Sequence, residues 1–413
     1  MRQRATASSV LSVLITGIVL GGCSSAVGAE RPTGPQSVAL EIPLATSAEA
    51  AGPSALAASA SGASAWAIVP FGDSAAPSWQ LFALGGPQAS WSRVTPPGVA
   101  DEGGLVGSFL PTGAVVGIEA SGLLAFSPVA TTHDGGLEWS PGILPTELAP
   151  VPDALAATGG GGILALLGQS GSTIVESGDN AVTTSVLTSR LAVAAAAGGS
   201  CDLTALTAVA YGPAGQPMVG GRCYGSARVG IFEQVGTGWE LVGPLLPAAA
   251  VAGGITTRRG SSATGGAASA QSLISEVLQL SSDAGQLVAL IESVARDGTA
   301  TVLRLSRSAS GSWSSSPAYD VAPSERLMAT GVAPDGSSFV VMSHSGGSVT
   351  ADVLGAAGSS WNELPALPAG TATLVLEVAG TTESLAVEGA TLTVSVLGRS
   401  GAWSAVQVIR VPT

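Results

Sequence analysis

Six of the eight tryptophans in this chain recur in one setting, and that recurrence limits the fold more than any other feature. Each follows a turn of small residues, and most lead into a proline-containing exit. Ser90-Trp91 runs to Pro96-Pro97, Glu138-Trp139 to Leu144-Pro145, and Gly238-Trp239 to Leu246-Pro247. Ser312-Trp313 runs to Pro317, Ser360-Trp361 to Leu367-Pro368, and Ala402-Trp403 to Val411-Pro412. Successive tryptophans lie 48, 100, 74, 48 and 42 residues apart. One period of about 42–50 residues accounts for this series. The interval of 100 holds two periods, with a tryptophan-less repeat around Thr184 to Leu191. The interval of 74 holds one period and an insertion, the Gly/Ala/Ser-rich stretch from Ala248 to Ala270 that carries Arg258 and Arg259.

The last two repeats display their internal plan. Thr373 to Val378, Ser384 to Val387, Thr391 to Leu397 and Trp403 to Val411 are β-branched runs separated by short glycine turns. The preceding repeat reads alike: Leu327 to Ala333, Ser338 to Met342, Val349 to Leu354, then Trp361. Four short runs joined by tight turns predict a four-stranded antiparallel sheet, with each tryptophan opening the fourth strand. One such sheet cannot bury both faces, so the repeats must stack on one another. The expected fold is all-β: a seven-bladed β-propeller of four-stranded blades over residues 63–413. The alternatives are eight blades, since residues 37–65 are ambiguous, or tandem β-sandwiches. With 57 Gly and 25 Pro, no long helical periodicity survives. A chain that is 46% hydrophobic has ample material for a large core.

One turn in this framework is specific. Thr132-His133-Asp134-Gly135-Gly136-Leu137-Glu138-Trp139 resembles the Asp box of sialidase-like propellers: Ser or Thr, then Asp, Gly and an aromatic residue at fixed spacing. The resemblance implies a structural turn between third and fourth strands, built on Thr132, Asp134, Gly136 and Trp139 and lying away from any active site. Asp134 is expected to accept backbone N–H groups across the turn, where Gly135 and Gly136 supply unusual dihedrals. Gly311-Ser312-Trp313 and Gly358 to Trp361 are degenerate versions without the aspartate. A sialidase also needs three converging arginines and a Tyr–Glu nucleophile pair. The chain offers Tyr211, Tyr224 and Tyr319 and the scattered arginines Arg93, Arg222, Arg228, Arg304 and Arg326, and nothing in their spacing demands convergence.

The N-terminus resembles a bacterial lipoprotein signal. Arg2 and Arg4 precede an apolar run from Val10 to Leu20, too short for a stable span, and then comes Leu20-Gly21-Gly22-Cys23. The resemblance implies removal of residues 1–22, lipidation of Cys23, and a membrane anchor in the cell envelope. Residues 23–62, rich in Ala, Ser, Gly and Pro, read as a tether. Setting Cys23 aside leaves Cys201 and Cys223, which flank one hairpin and are expected to form a disulfide in an oxidising compartment.

The remaining chemistry is sparse. The chain has no lysine, and its 15 arginines face 28 acidic residues, for a formal charge of −13. Such a balance repels phosphate backbones, so nucleic acid is not an expected partner. His133 and His344 are the only histidines, and neither has a partner at metal-ligand spacing. Gly159 to Gly162 lacks the Lys-Ser/Thr of a phosphate loop and reads as a turn. No catalytic residue, cofactor or metal site is expected. The expected role is a lipid-anchored, non-catalytic module that binds a protein, peptide or glycan; the alternatives are a sialidase-like glycoside hydrolase and an envelope assembly scaffold. Oligomeric state is not legible.

Overall fold

The computed structural model describes residues 57–59, 64–73, 76–85, 89–97, 105–110, 113–118, 126–145, 152–168, 171–246, 274–283, 286–295, 298–332, 337–345, 348–356, 358–368, 370 and 372–411. Cys23, the segment 1–22 and the insertion 248–270 lie outside the described residues.

The described chain is a succession of antiparallel meanders. The first comprises β1 (Ala57–Ser59), β2 (Ser64–Asp73), β3 (Ala76–Gly85) and β4 (Ser92–Arg93). The second holds β5 (Leu105–Phe109), β6 (Ala114–Ile118), β7 (Phe126–Thr132) and β8 (Ser140–Pro145). The third holds β9 (Ala154–Ala157), β10 (Ile163–Leu167), β11 (Thr173–Ser177) and β12 (Ser185–Ser189), and is followed by one short helix, α1 (Arg190–Ala196). The fourth holds β13 (Asp202–Tyr211), β14 (Pro217–Tyr224), β15 (Gly230–Val235) and β16 (Gly238–Leu241). The fifth holds β17 (Ile274–Asp283), β18 (Gln286–Val294), β19 (Ala300–Arg307), β20 (Trp313–Ser315) and the short β21 (Tyr319–Val321), which also pairs with β19. The sixth holds β22 (Arg326–Val332), β23 (Ser338–Ser343), β24 (Val349–Leu354) and β25 (Asn362–Glu363). The seventh holds β26 (Ala372–Val378), β27 (Thr381–Glu388), β28 (Thr391–Leu397) and β29 (Trp403–Arg410). The fourth and fifth are fused into one nine-stranded sheet, because the end of β14 pairs directly with the start of β17.

Stacking explains the composition of the strands. Every residue of β6 and of β10 is buried, whereas β4, β12 and β29 are largely exposed. An inner strand is covered on both faces by neighbouring sheets, so it reads as a continuous apolar run, as in Ile163 to Leu167, and not as an alternation. The cores lie between meanders. Trp66 and Leu81 of the first pack with Leu105 and Val116 of the second. Val129 of the second packs with Ile163 of the third, and Leu164 of the third with Phe232 of the fourth. Ile231 of the fourth packs with Leu303 of the fifth, and Val302 of the fifth with Met342 of the sixth. Val341 of the sixth, Leu385 of the seventh and Phe82 of the first share one cluster, which closes the circuit.

One boundary needs correction, and one short element is added. β1 lies inside the segment 23–62 read as tether, so that boundary cuts the first meander. Ala57, Ala58 and Ser59 carry no β-branched signal; pairing with β2 makes the strand. The helix α1 was not expected either. Ser189 caps it, accepting the Ala192 N–H, and the run from Arg190 to Ala196 consists mostly of good helix formers.

Candidate functional site

Thr132 and Asp134 sit in the turn between β7 and β8, the third and fourth strands of their meander. The Thr132 hydroxyl donates to Asp134 Oδ1 at 2.8 Å and accepts the Gly136 N–H at 3.1 Å. Asp134 in turn accepts the N–H groups of Leu137 and Glu138 at 3.0 Å. These bonds hold its carboxyl below the ordinary value of 3.8, the Glu138 N–H contributing most. Gly136, at φ +87°, leaves no room for a β-carbon, which would meet Val94 of the first meander at 2.6 Å. The Trp139 indole donates to the Val94 carbonyl at 2.9 Å. The four residues therefore join two meanders.

A second turn of the same construction, missed in the sequence, lies between β11 and β12. The Ser177 hydroxyl donates to Asp179 at 2.9 Å and accepts the Ala181 N–H at 2.9 Å. Asp179 accepts the Thr183 N–H at 2.8 Å. Its carboxyl is likewise held low, first by the Thr183 hydroxyl. The signal Ser177-x-Asp179 was present, but Ala181 replaces the glycine and no tryptophan follows.

The seam between β14 and β17 gathers the buried charge. Cys201 and Cys223 are joined by a disulfide with Cα atoms 5.2 Å apart, pinning the start of β13 to the end of β14. Beside it, Arg222, Glu276 and Glu292 are successive cross-strand partners on β14, β17 and β18. Arg222 Nε lies 2.8 Å from Glu276 Oε2, and both glutamates are almost fully buried. Burial first, and Glu276 second, push the Glu292 carboxyl up to about 8, with Arg222 offsetting part of the rise.

A half-buried polar network continues across the next interface. The Tyr319 hydroxyl donates to Asp352 Oδ2 at 2.9 Å, and its ring meets Trp361 edge-on at 5.4 Å. His344 Nδ1 lies 3.1 Å from Glu325, and its Nε2 lies 2.8 Å from the Thr350 hydroxyl. Desolvation raises the Asp352 carboxyl, while the Tyr319 bond lowers it.

Stacked four-stranded sheets whose interfaces return from the last to the first define the architecture. The fold is a β-propeller. No protein-family model and no curated protein matches the chain. Solved structures do. The periplasmic gluconolactonase PpgL of Pseudomonas aeruginosa aligns with a TM-score of 0.50 at 11% identity, covering 83% of this chain and 95% of that one. The lectin BP39L of Burkholderia pseudomallei aligns at 0.48 and 15%, covering 88% and 100%. YCF48 of Cyanidioschyzon merolae aligns at 0.41 and 12%, covering 85% and 95%. At such identities the likeness concerns fold alone.

Within the propeller, the arginines singled out in the sequence are dispersed. Arg222 pairs with Glu276, Arg228 donates to the Gly243 carbonyl, and Arg304 donates to the Gly355 carbonyl. Arg93 and Arg326 are exposed on β4 and β22. The phenols of Tyr211 and Tyr319 are both shifted upward by burial, the opposite of what a tyrosine nucleophile requires. Among the described residues, no group of three His, Cys, Asp or Glu is placed to hold a metal ion. No helix there is long and apolar enough to cross a membrane.

Proposed function

We propose that this chain is an exported, lipid-anchored, seven-bladed propeller that serves as a non-catalytic binding module for a protein partner at the cell envelope. One observation carries the non-catalytic part. Four ionisable side chains of the described interfaces are bonded to the fold itself: Glu383 to the Trp91 indole, Glu276 to Arg222, Glu233 to Arg307, and Asp352 to Tyr319. A catalytic centre needs such groups aimed at one shared point where a substrate can sit. The lipoprotein-like start at Cys23 supports the anchor.

The twin turns favour a protein over a glycan as partner. Leu137 and Val182 occupy the same position of the two turns, in neighbouring blades, and are 83% and 75% exposed. Rigid turns that present apolar side chains suit contact with another protein surface. The test joins fractionation with in-cell crosslinking. Labelled fatty acid is expected on the wild-type protein and not on Cys23→Ala, which should leave the membrane fraction. A photoreactive residue replacing Leu137 should give one discrete protein adduct, lost when Val182→Asp is added. Membrane retention of Cys23→Ala would defeat the anchor, and absence of any adduct would defeat the partner.

A further inference from the structure

Beside the seam between β14 and β17 lies one buried carboxyl that accepts and donates no hydrogen bond, Glu292 of β18. Arg222, Glu276 and Glu292 are opposed in succession across three strands, so their side chains leave the same face of the sheet. That row places two carboxylates against one guanidinium, and the guanidinium Nε is directed at Glu276, 2.8 Å away. Glu292 is 1% exposed, and neither of its carboxyl oxygens has a hydrogen-bond partner.

Its surroundings offer little else. Leu290 and Val294, two residues away along β18, and its cross-strand partner Val302 share its face of the sheet, and they belong to one apolar cluster with Val340 and Met342 of β23 in the facing blade. Several ionisable groups on and beside these elements already have partners. Arg304 on β19 donates to Gly355, Asp352 on β24 is bonded to Tyr319 of β21, and Glu325 and His344 pair with each other. An ionised carboxylate so placed would be desolvated and would also face Glu276. The neutral acid is the lower-energy form.

We propose that Glu292 is a proton-binding site built into the propeller, so that the packing of β17–β19 against β22–β24 tightens as the medium acidifies and loosens as it turns alkaline. The group's value in the fold, about 8, lies above its ordinary 4.5. The closed seam therefore holds a proton that an opened seam releases across that interval. Opening becomes easier as pH rises from about 4.5 to 8, and levels off above. Within that window each pH unit changes the opening constant by about tenfold.

Hydrogen exchange on the full chain tests this directly. Protection of the β17–β19 amides, corrected for the intrinsic pH dependence of exchange, should fall about tenfold per unit between roughly pH 5.5 and 7.5. In Glu292→Gln, which keeps the shape and cannot ionise, the same amides should show no such slope. Glu276→Gln supplies an independent arm. It removes the competing carboxylate and leaves Arg222 to pair with Glu292, so the slope should shift to lower pH. An identical slope in the wild type and Glu292→Gln would overturn the proposal. So would an infrared band assigning Glu292 as a carboxylate at about pH 6.

Discussion

Gly136 and Ala181 hold the same place in neighbouring turns, and the pair separates two reasons for a glycine. Both have a left-handed backbone, at φ +87° and +62°. Ala181 tolerates that conformation at a cost of about 1–2 kcal/mol. Its methyl group is buried against the second blade, which offsets part of the cost. Gly136 has the additional constraint that a β-carbon would strike Val94 of the preceding blade. Gly136→Ala is therefore expected to destabilise by about 2–4 kcal/mol, through backbone strain and overpacking together. Ala181→Gly relieves strain, loses a buried methyl and loosens the unfolded chain, so its net change should stay within about 1 kcal/mol. Urea unfolding of the two variants measures the difference, and equal losses would refute the distinction. The aspartates of the turns have a pH signature opposite to that of Glu292. With carboxyls held below 3.8, their contribution is complete above that value and is lost as pH falls through the lowered ones.

The outer strands repeat one device. Indole N–H groups reach back to a carbonyl just past the preceding blade's fourth strand: Trp139 to Val94, Trp313 to Val242, Trp361 to Pro317 and Trp403 to Pro365. Trp239 makes no such bond among the described residues, because the preceding blade ends in α1, against which β16 packs. Trp139→Phe should then cost about 1 kcal/mol more than Trp239→Phe, since it also leaves the Val94 carbonyl without its donor. Chemical denaturation of both variants checks this, and a larger loss at Trp239 would count against the device. This element was legible in the sequence because small turns, tryptophan and proline exits are local signals. The strands of residues 327–411 were legible for the same reason, alternating and glycine-bounded within about 40 residues. The row Arg222, Glu276 and Glu292 was not. Arg222 and Glu276 lie 54 residues apart and meet only because β14 pairs with β17. β1 was hidden by its Ala-Ala-Ser composition, and α1 by its length of only seven residues.

For the whole molecule, the consequential point is how the ring closes. Within the described residues, β1–β4 come entirely from one end of the propeller chain and β26–β29 from the other, and neither meander borrows a strand. Closure rests on packing, on a main-chain hydrogen bond from the Gly72 N–H to the Gly389 carbonyl at 3.4 Å, and on Trp91. Its main-chain N–H donates to the Gln407 side-chain oxygen at 2.9 Å, and its carbonyl accepts from the same amide at 2.8 Å. Its indole donates to Glu383 at 2.8 Å. A single glutamine side chain on β29 thus meets the backbone of the first meander much as an added strand would. Trp91 is 4% exposed, so removing that amide leaves two buried main-chain groups unsatisfied. Gln407→Leu should lower global stability by about 2–4 kcal/mol. Its structural effect should be local to the closure. Repeat architectures derive stability from contacts between neighbours, so a weakened junction lets the flanking units fray first. Hydrogen exchange in Gln407→Leu should rise in β2–β3 and β27–β28 while β10 and β14, across the ring, keep their protection. Uniform loss of protection around the ring would instead mean that the propeller opens as one cooperative unit, with no weak point at the join.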